Sequence, residues 1–275
     1  MALSINPTKN HRGREKGLLV YPVYSRRSRG LSVGINLFPD KKFCPFDCPY
    51  CEVFPFENNS FFLLPQMEAD LREAIAAALE QDIPIKDICF SGNGEPSLSP
   101  DFPEALKLAA SIREELAPCA SMVLITNGAG LMKPQIFSRL LDAVLGSEKL
   151  DVWLKLDAGT PEWYKKINRC EIPFEEITLK KKEFASCAPV TIQTMLCSVE
   201  GERPSAEESH AWLEFLLGLA ASGNIRKVQI YGKARSAPGD PLASSLPVEY
   251  LEERASSLRR SLEAGGFSLP VEVFP

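Results

Sequence analysis

The chain has 275 residues, of which 45% are hydrophobic and 24% are charged, so it can bury one sizeable core as a single domain. Its net charge of −5 is unevenly spread, because residues 1–42 carry nine Lys/Arg against two Asp/Glu and the remainder is acidic. Two histidines exclude a multi-histidine metal site, eight cysteines are too few for a disulfide scaffold, and no apolar run is long enough to cross a bilayer. We therefore expect a cytoplasmic protein without a membrane span.

The predicted elements alternate between strand and helix along most of the chain. In chain order, the pattern predicts a strand at 31–37, a helix at 66–81, a strand at 85–90, a helix at 101–116, a strand at 121–126, a helix at 134–145, a strand at 150–156, helices at 161–168 and 174–186, a strand at 190–197, a helix at 206–221, a strand at 226–231, a helix at 248–264 and a closing strand at 269–274. Such alternation indicates parallel strands joined by crossover helices. Six β/α units are too few for a complete eightfold barrel, so the predicted fold class is α/β, a partial (β/α)6 barrel.

The domain prediction has two parts. Residues 1–30 form a basic N-terminal extension, and residues 31–275 form the partial barrel with a C-terminal helix and strand. The basic runs at 11–16 and 25–29 suit the phosphates of a polyanion or of a small ligand, and a solvated basic arm is the alternative.

Polar and glycine-rich clusters follow several predicted strands, at 91–96, 126–128, 157–159 and 232–235. In parallel barrels the active site lies at the C-terminal ends of the strands. We therefore expect these clusters to converge on one site.

Three cysteines follow the first predicted barrel strand with the spacing C-x3-C-x2-C, at Cys44, Cys48 and Cys51. A structural zinc site needs four protein ligands, so zinc would require Cys89 or another distant thiol. A [4Fe–4S] cluster held by three thiolates leaves one iron open. An open iron can chelate the amino and carboxylate groups of S-adenosylmethionine, which positions the sulfonium for one-electron cleavage to a 5′-deoxyadenosyl radical.

The cysteine motif, with an aromatic residue before its third cysteine, resembles the signature of the radical S-adenosylmethionine superfamily. Residues 21–36 and 91–104 further resemble Fe–S oxidoreductases that are grouped with wyosine synthases, and the likeness runs from about residue 20 to 240. The resemblance implies an enzyme that uses a [4Fe–4S] cluster and S-adenosyl-L-methionine to abstract hydrogen from a substrate. It also implies an electron donor of the flavodoxin or ferredoxin type.

The resemblance also implies roles for individual residues. Tyr50 would pack beside the adenine. The glycine-rich stretch would bind the methionine amino group, with Glu95 as the favoured acceptor, and further residues would contact the ribose or carboxylate of the cosubstrate. The complete predicted cofactor set is Tyr50, Gly92, Asn93, Gly94, Glu95, Asn127, Lys155, Asp157 and Gln193. A plain salt bridge is the alternative for Lys155 and Asp157, and a turn is the alternative for Asn127.

The substrate prediction rests on cationic side chains. Arg26, Arg27 and Arg235 are expected at the mouth of the site, where a guanidinium suits a carboxylate or phosphate. The substrate is then tRNA, as the wyosine-related resemblance suggests, or a small anion. An activating enzyme for a glycyl-radical protein and a non-catalytic iron–sulfur electron-transfer protein remain alternatives, as does a zinc-stabilised binding module.

The other five cysteines form no C-x2-C pair, which disfavours an auxiliary cluster. Cys89 and Cys197 lie in apolar strands and are expected to pack as small buried groups. Cys170, in a loop near the expected mouth, is a weaker candidate for a hydrogen-atom donor.

Overall fold

The computed structural model describes residues 17–53, 55–235, 237 and 242–275. The basic run at 11–16 lies outside the described residues. The chain divides into two compact units. Of the described residues, the first unit contains those up to Cys44 together with those in the ranges 53–126 and 138–151, and the second contains those in the ranges 45–52, 127–137 and 152–275.

The first unit is built on the strands β1 (Val20–Ser25), β2 (Gly30–Ile35), β3 (Ile85–Phe90) and β4 (Ser121–Thr126), which lie in that order. β1 pairs with β2 in antiparallel orientation, whereas the β2–β3 and β3–β4 pairs are parallel. The helices α1 (Leu64–Leu79) and α2 (Phe102–Leu116) connect the parallel strands. Each begins with a proline in its first turn, where the missing N–H costs no hydrogen bond.

The strand β1 has no counterpart among the predicted elements, whose first strand is the one at 31–37. Proline is tolerated in this position since β1 is an edge strand that pairs only with β2. Residues 20–30 therefore belong to the sheet of the first unit, and the boundary predicted at residue 30 falls inside a β-hairpin.

The helix α3 (Pro134–Leu145) precedes β5 (Leu150–Lys155), and α4 (Pro161–Ile167) and α5 (Phe174–Cys187) follow it. The second unit continues with β6 (Val190–Val199), α6 (Ala206–Ser222), β7 (Ile225–Gly232), β8 (Ala243–Ser245), α7 (Val248–Ala264) and β9 (Val271–Phe274). The parallel strands lie in the order β5-β6-β7-β9. The short strand β8, which was not predicted, pairs in antiparallel orientation with the end of β6.

One face of the sheet in the second unit carries a row of polar side chains that runs across four strands. Lys155, Gln193, Gln229 and Glu272 are aligned in register on β5, β6, β7 and β9. Their neighbours in sequence, such as Leu154 and Ile192, alternate to the opposite, apolar face. The alternation directs polar side chains to one side of the sheet and leaves the other side to pack as core.

Among the described residues, no helix has the length and apolar character that a bilayer crossing would need.

Candidate functional site

The glycine-rich stretch at 92–95 is attached to the residue before the first cysteine. Phe43 donates its N–H to the Asn93 carbonyl at 3.1 Å, and its own carbonyl accepts the Glu95 N–H at 2.9 Å. Phe43 and Gly94 therefore form an isolated parallel bridge. The start of the cysteine loop, at Cys44, is held against the end of β3 by these main-chain bonds.

The two glycines of this stretch are required for different reasons. Gly92 has φ +127°, a backbone conformation that side chains with a Cβ rarely adopt. At Gly94 a Cβ would lie 2.1 Å from the Phe43 carbonyl oxygen. Asn36 completes the turn, because its Oδ1 accepts the N–H groups of Phe38 and Asn93 at 3.2 and 3.1 Å.

Glu95 is buried and its carboxylate is oriented by hydroxyl groups. Its Oε1 accepts hydrogen bonds from Ser97 Oγ and Thr126 Oγ1, both at 2.6 Å, and from the Ser97 N–H at 3.2 Å. Glu95 is only 2% exposed, so its negative charge is stabilised by these donors. Ser97 lies in the segment 91–104 and Thr126 in the cluster at 126–128, and nothing in the sequence indicated that both hydroxyls would contact one carboxylate oxygen.

Asp157 is the centre of a buried network in the second unit. Its Oδ1 accepts the Met195 N–H at 2.8 Å, and its Oδ2 accepts the Tyr50 hydroxyl at 2.5 Å. Asn168 Nδ2 donates to the same Oδ2 at 3.3 Å, and Lys155 Nζ lies 3.2 Å from it. The network brings together Tyr50, Lys155 and Asp157, which the sequence analysis assigned to the cosubstrate.

Lys155 lies between two aromatic rings. Its Nζ is 4.6 Å from the ring centre of Tyr50 and 5.0 Å from that of Tyr231, and it donates a hydrogen bond to the Tyr231 hydroxyl. Burial by itself lowers the pKa of Lys155, but the Asp157 carboxylate and the neighbouring Tyr231 and Cys48 outweigh it and raise the pKa above the usual lysine range. Lys155 is therefore a cation at neutral pH, in a salt bridge as the alternative interpretation predicted.

The second cysteine is held by the same network. Asn168 Nδ2 lies 3.6 Å from Cys48 Sγ, and the Asn168 carbonyl accepts the Asp47 N–H at 3.1 Å. Burial and the Asp157 charge raise the pKa of the Cys48 thiol to about 11. Within the loop, Cys51 donates its N–H to the Cys48 carbonyl at 2.9 Å, which forms the turn that contains Tyr50.

The remaining predicted cofactor residues have partners of their own. Gln193 is fully buried and donates through Nε2 to Gln229 Oε1 at 2.8 Å. Asn127 Oδ1 accepts the Ala129 N–H at 2.9 Å, which is the side-chain-capped turn given as its alternative.

The three arginines do not share one location. Arg26 and Arg27 lie in the turn between β1 and β2, next to the N-terminal end of β2, whereas the cysteine loop follows the C-terminal end of that strand. The expectation that Arg26 and Arg27 line a mouth at the C-terminal strand ends is therefore corrected, because the β1–β2 hairpin places them at the N-terminal end of β2. Arg235, after β7, is at the expected edge, and its Nε lies 2.8 Å from Glu52 Oε2.

The other cysteines differ in exposure. Cys89 and Cys197 are buried in β3 and β6, whereas Cys119 and Cys187 are exposed. Burial and the Asp157 charge raise the pKa of Cys197 to about 12, so its thiol is neutral. Cys170 is half-buried beside Tyr164, whose pKa is raised by burial and by a hydrogen bond to Cys170.

The cysteine loop offers donors that suit an iron–sulfur cluster. Cys44, Cys48 and Cys51 are cysteines of intermediate exposure, reachable yet partly shielded from water. Among the residues that the structure describes, no three His, Cys, Asp or Glu side chains gather closely enough to hold a single metal ion. Cysteine sulfurs suit iron as well as zinc, and a closed zinc site would need a fourth protein ligand besides these three.

Comparison with known proteins agrees with this donor set. The model of the radical SAM superfamily matches residues 40–184, a range that contains the cysteine loop, Glu95 and Asp157. A family of this kind implies a [4Fe–4S] cluster and S-adenosylmethionine as cofactors.

Curated relatives carry no assigned activity. A "UPF0026 protein" of Helicobacter pylori is 33% identical over 134 residues, which cover 47% of this chain and 41% of that protein. A "UPF0026 protein" of Methanocaldococcus jannaschii is 28% identical, with 58% of this chain and 46% of that protein covered. The chain thus spans less than half the length of these relatives. The finer resemblance to proteins grouped with wyosine synthases is not confirmed by these matches.

Solved structures show the fold. A radical SAM methyltransferase from Sphaerobacter thermophilus has a TM-score of 0.65 at 16% identity, with 93% of this chain and 69% of that chain covered. Streptococcus suis SuiB bound to its precursor peptide SuiA has a TM-score of 0.64 at 13% identity, with 90% and 50% covered. A spore photoproduct lyase mutant with bound AdoMet and a dinucleoside spore photoproduct has a TM-score of 0.55 at 9% identity, with 88% and 76% covered. The predicted α/β partial barrel is confirmed.

Proposed function

Because this chain belongs to the radical SAM superfamily, we propose that it is an enzyme that abstracts a hydrogen atom from its substrate. The observation that carries the proposal is the loop of three half-buried cysteines, in which Asn168 connects Cys48 to the Asp157 network. When bound, the cluster and S-adenosylmethionine supply an electron and a source of a 5′-deoxyadenosyl radical. The protein's own residues bind and orient these groups.

In this proposal Cys44, Cys48 and Cys51 would hold the cluster through their three thiolates. Glu95 accepts a hydrogen bond from the methionine ammonium. Its support is a buried carboxylate that two hydroxyl groups hold in one orientation, so it is ready to pair with a cation. Gly92, Asn93 and Gly94 shape the turn that presents Glu95.

In the second unit, some residues are proposed to contact the cosubstrate and others to hold those residues in place. Tyr50 presents its ring, while its hydroxyl anchors it to Asp157. Lys155 supplies a cation for the cosubstrate carboxylate, and Asp157 keeps that cation charged and in place. Asn127 and Gln193 remain proposed contacts to the cosubstrate, each with a side chain already oriented by a hydrogen bond.

The proposed substrate carries an anionic group, and Arg235 is the arginine retained to bind it. tRNA is one candidate, supported by the wyosine-related resemblance and the basic N-terminal segment. One structural neighbour is bound to a precursor peptide and another to a dinucleoside spore photoproduct, so the shared fold does not select between such substrates. The proposed reductant is a flavodoxin or ferredoxin, since reductive cleavage requires an external electron.

Anaerobic reconstitution tests the central proposal. We expect about four irons per chain, and we expect the spectrum of the reduced cluster to change when S-adenosylmethionine is added, with slow release of 5′-deoxyadenosine. Cys44→Ala, Cys48→Ala and Cys51→Ala should each lose the cluster, whereas Cys119→Ala, an exposed cysteine outside the loop, should keep it. A stable cluster whose spectrum does not change when S-adenosylmethionine is added would favour the electron-transfer alternative instead.

A second measurement tests the cosubstrate contact. Glu95→Ala should weaken S-adenosylmethionine binding by about ten- to a hundredfold, because it removes a charge-assisted hydrogen bond of roughly 1.5–3 kcal/mol. Iron content should stay at the wild-type level. Unchanged affinity in a variant with an intact cluster would remove Glu95 from the binding site.

Binding of bulk tRNA over a salt series tests the substrate class. If tRNA is the substrate, affinity should fall steeply with salt, because each neutralised phosphate releases counterions. Substitution of Arg235 by Gln should then reduce the slope by about one unit. An absence of tRNA binding at low salt would refute tRNA as the substrate and leave a small anion as the remaining candidate.

A further inference from the structure

Asn168 contacts the cysteine loop through both its main chain and its side chain. It ends α4, donates its N–H to the Tyr164 carbonyl at 2.9 Å, and is only 3% exposed. Its carbonyl accepts the Asp47 N–H, and its Nδ2 lies 3.6 Å from Cys48 Sγ and 3.3 Å from Asp157 Oδ2. No local feature of the sequence indicated these contacts, since 120 residues separate Asn168 from Cys48.

The orientation of the Asn168 amide is determined by Asp157. An ionised carboxylate only accepts hydrogen bonds, so the amide must present its nitrogen to Oδ2. The flipped amide would place its carbonyl oxygen against the carboxylate, with repulsion in place of a bond. Asp157 is itself held by the Met195 N–H and by Tyr50. The second N–H of the Asn168 amide is therefore available to the Cys48 sulfur.

A hydrogen bond to a cluster sulfur acts on the electron affinity of the cluster. The reduced cluster carries one more negative charge than the oxidised one, and a donor on a ligand sulfur stabilises that charge. Groups that orient metal ligands from outside the coordination sphere also affect how tightly the metal is held. Both effects would reach the cluster through a side chain that never touches iron.

We propose that Asn168 is a positioning residue, which orients Cys48 for the cluster and donates a hydrogen bond to its sulfur, thereby raising the cluster's reduction potential. The proposal rests on the cluster assignment given above. It goes beyond that assignment by naming a residue, outside the cysteine motif and the glycine-rich stretch, that sets how readily the cluster accepts its electron.

The test uses two substitutions of one side chain. Asn168→Leu removes the donor at similar volume, and Asn168→Asp removes the amide nitrogen with nearly unchanged shape. Both keep the main-chain bond from Asp47, so the loop retains that attachment. Asn224→Leu is the matched control, because Asn224 is exposed and its side-chain amide donates to the Ser186 carbonyl, away from the cysteine loop.

The readouts are iron content, far-UV circular dichroism and a redox titration of the reconstituted protein followed by electron paramagnetic resonance, without substrate. Both Asn168 variants should have a more negative midpoint potential than the wild-type protein. At a fixed solution potential, the ratio of reduced to oxidised cluster should therefore fall by about tenfold. The Asn224 variant should have the same midpoint potential as the wild-type protein. Folded Asn168 variants that have lost their iron would support the positioning role.

Wild-type potential together with wild-type iron content in both Asn168 variants would overturn the proposal. Failure of the proposed function is distinguishable from this result. A wild-type protein that binds the cluster but leaves S-adenosylmethionine uncleaved would refute the enzymatic proposal, while the redox titration would still test Asn168. A wild-type protein without a cluster would overturn both.

Discussion

The contact between Gly94 and Phe43 gives the sharpest test of how the cysteine loop is held. In Gly94→Ala the new Cβ would lie 2.1 Å from the Phe43 carbonyl oxygen and 2.8 Å from the Phe38 ring. Ordinary contacts of this kind begin near 3.4 Å, so the two segments must separate by about 1 Å. The obstacle includes main chain, which cannot rotate away as a long side chain can.

The cost can be estimated from the bonds that span the contact. Separation breaks or weakens the Phe43-to-Asn93 and Glu95-to-Phe43 hydrogen bonds, each worth about 0.5–1.5 kcal/mol net. Overpacking adds about 1–3 kcal/mol. The expected loss in the free energy of unfolding is therefore about 2–6 kcal/mol. At roughly 2–4 °C per kcal/mol for a chain of this size, the melting temperature should fall by at least about 4 °C.

Thermal unfolding of the apoprotein and iron content after reconstitution provide the assay. Gly218→Ala is the matched control, because a Cβ at Gly218 meets nothing within 4 Å and alanine is the better helix former within α6. Gly94→Ala should also bind less iron, since Cys44 follows the displaced residue. A Gly94→Ala protein with the melting temperature and iron content of the control would refute the close approach.

Two further predictions concern the second unit. Asp157→Ala should lower the free energy of unfolding by about 3–5 kcal/mol in urea titrations of the apoprotein, because it leaves Lys155 buried without its carboxylate. The control is Glu202→Ala, which removes a surface ion pair with Lys166 and should lower that free energy by no more than about 1 kcal/mol. Equal losses in the two variants would contradict the buried network. Alkylation of the native apoprotein should label the exposed Cys119 and Cys187 well before Cys197, whose pKa of about 12 leaves about one part in a thousand as thiolate at pH 9. The rate of alkylation at Cys197 should rise about tenfold per pH unit below that pKa. Mass spectrometry of the labelled peptides measures this rate at each cysteine. Modification of Cys197 as early as that of Cys119 would disprove its burial.

The sequence alone determined the features that depend on neighbouring residues. Alternating apolar periodicity located every parallel strand of β2 to β7, and the helices between them, to within a few residues. The C-x3-C-x2-C spacing predicted the cluster ligands, because three cysteines within eight residues belong to one short loop whatever the rest of the chain does. Two short antiparallel elements, β1 and β8, escaped the pattern, since one contains a proline and the other has only three residues.

Only the tertiary structure decided which groups support those ligands. Asn168 lies 120 residues from Cys48 in the chain, and Asp157 lies 107 residues from Tyr50, so no local pattern encodes their hydrogen bonds. The hairpin of β1 and β2 carries Arg26 and Arg27 away from the edge at which charge placement had put them. Spacing reports which residues can share a face or a loop, whereas the partners of a buried polar group depend on which distant segments pack against it.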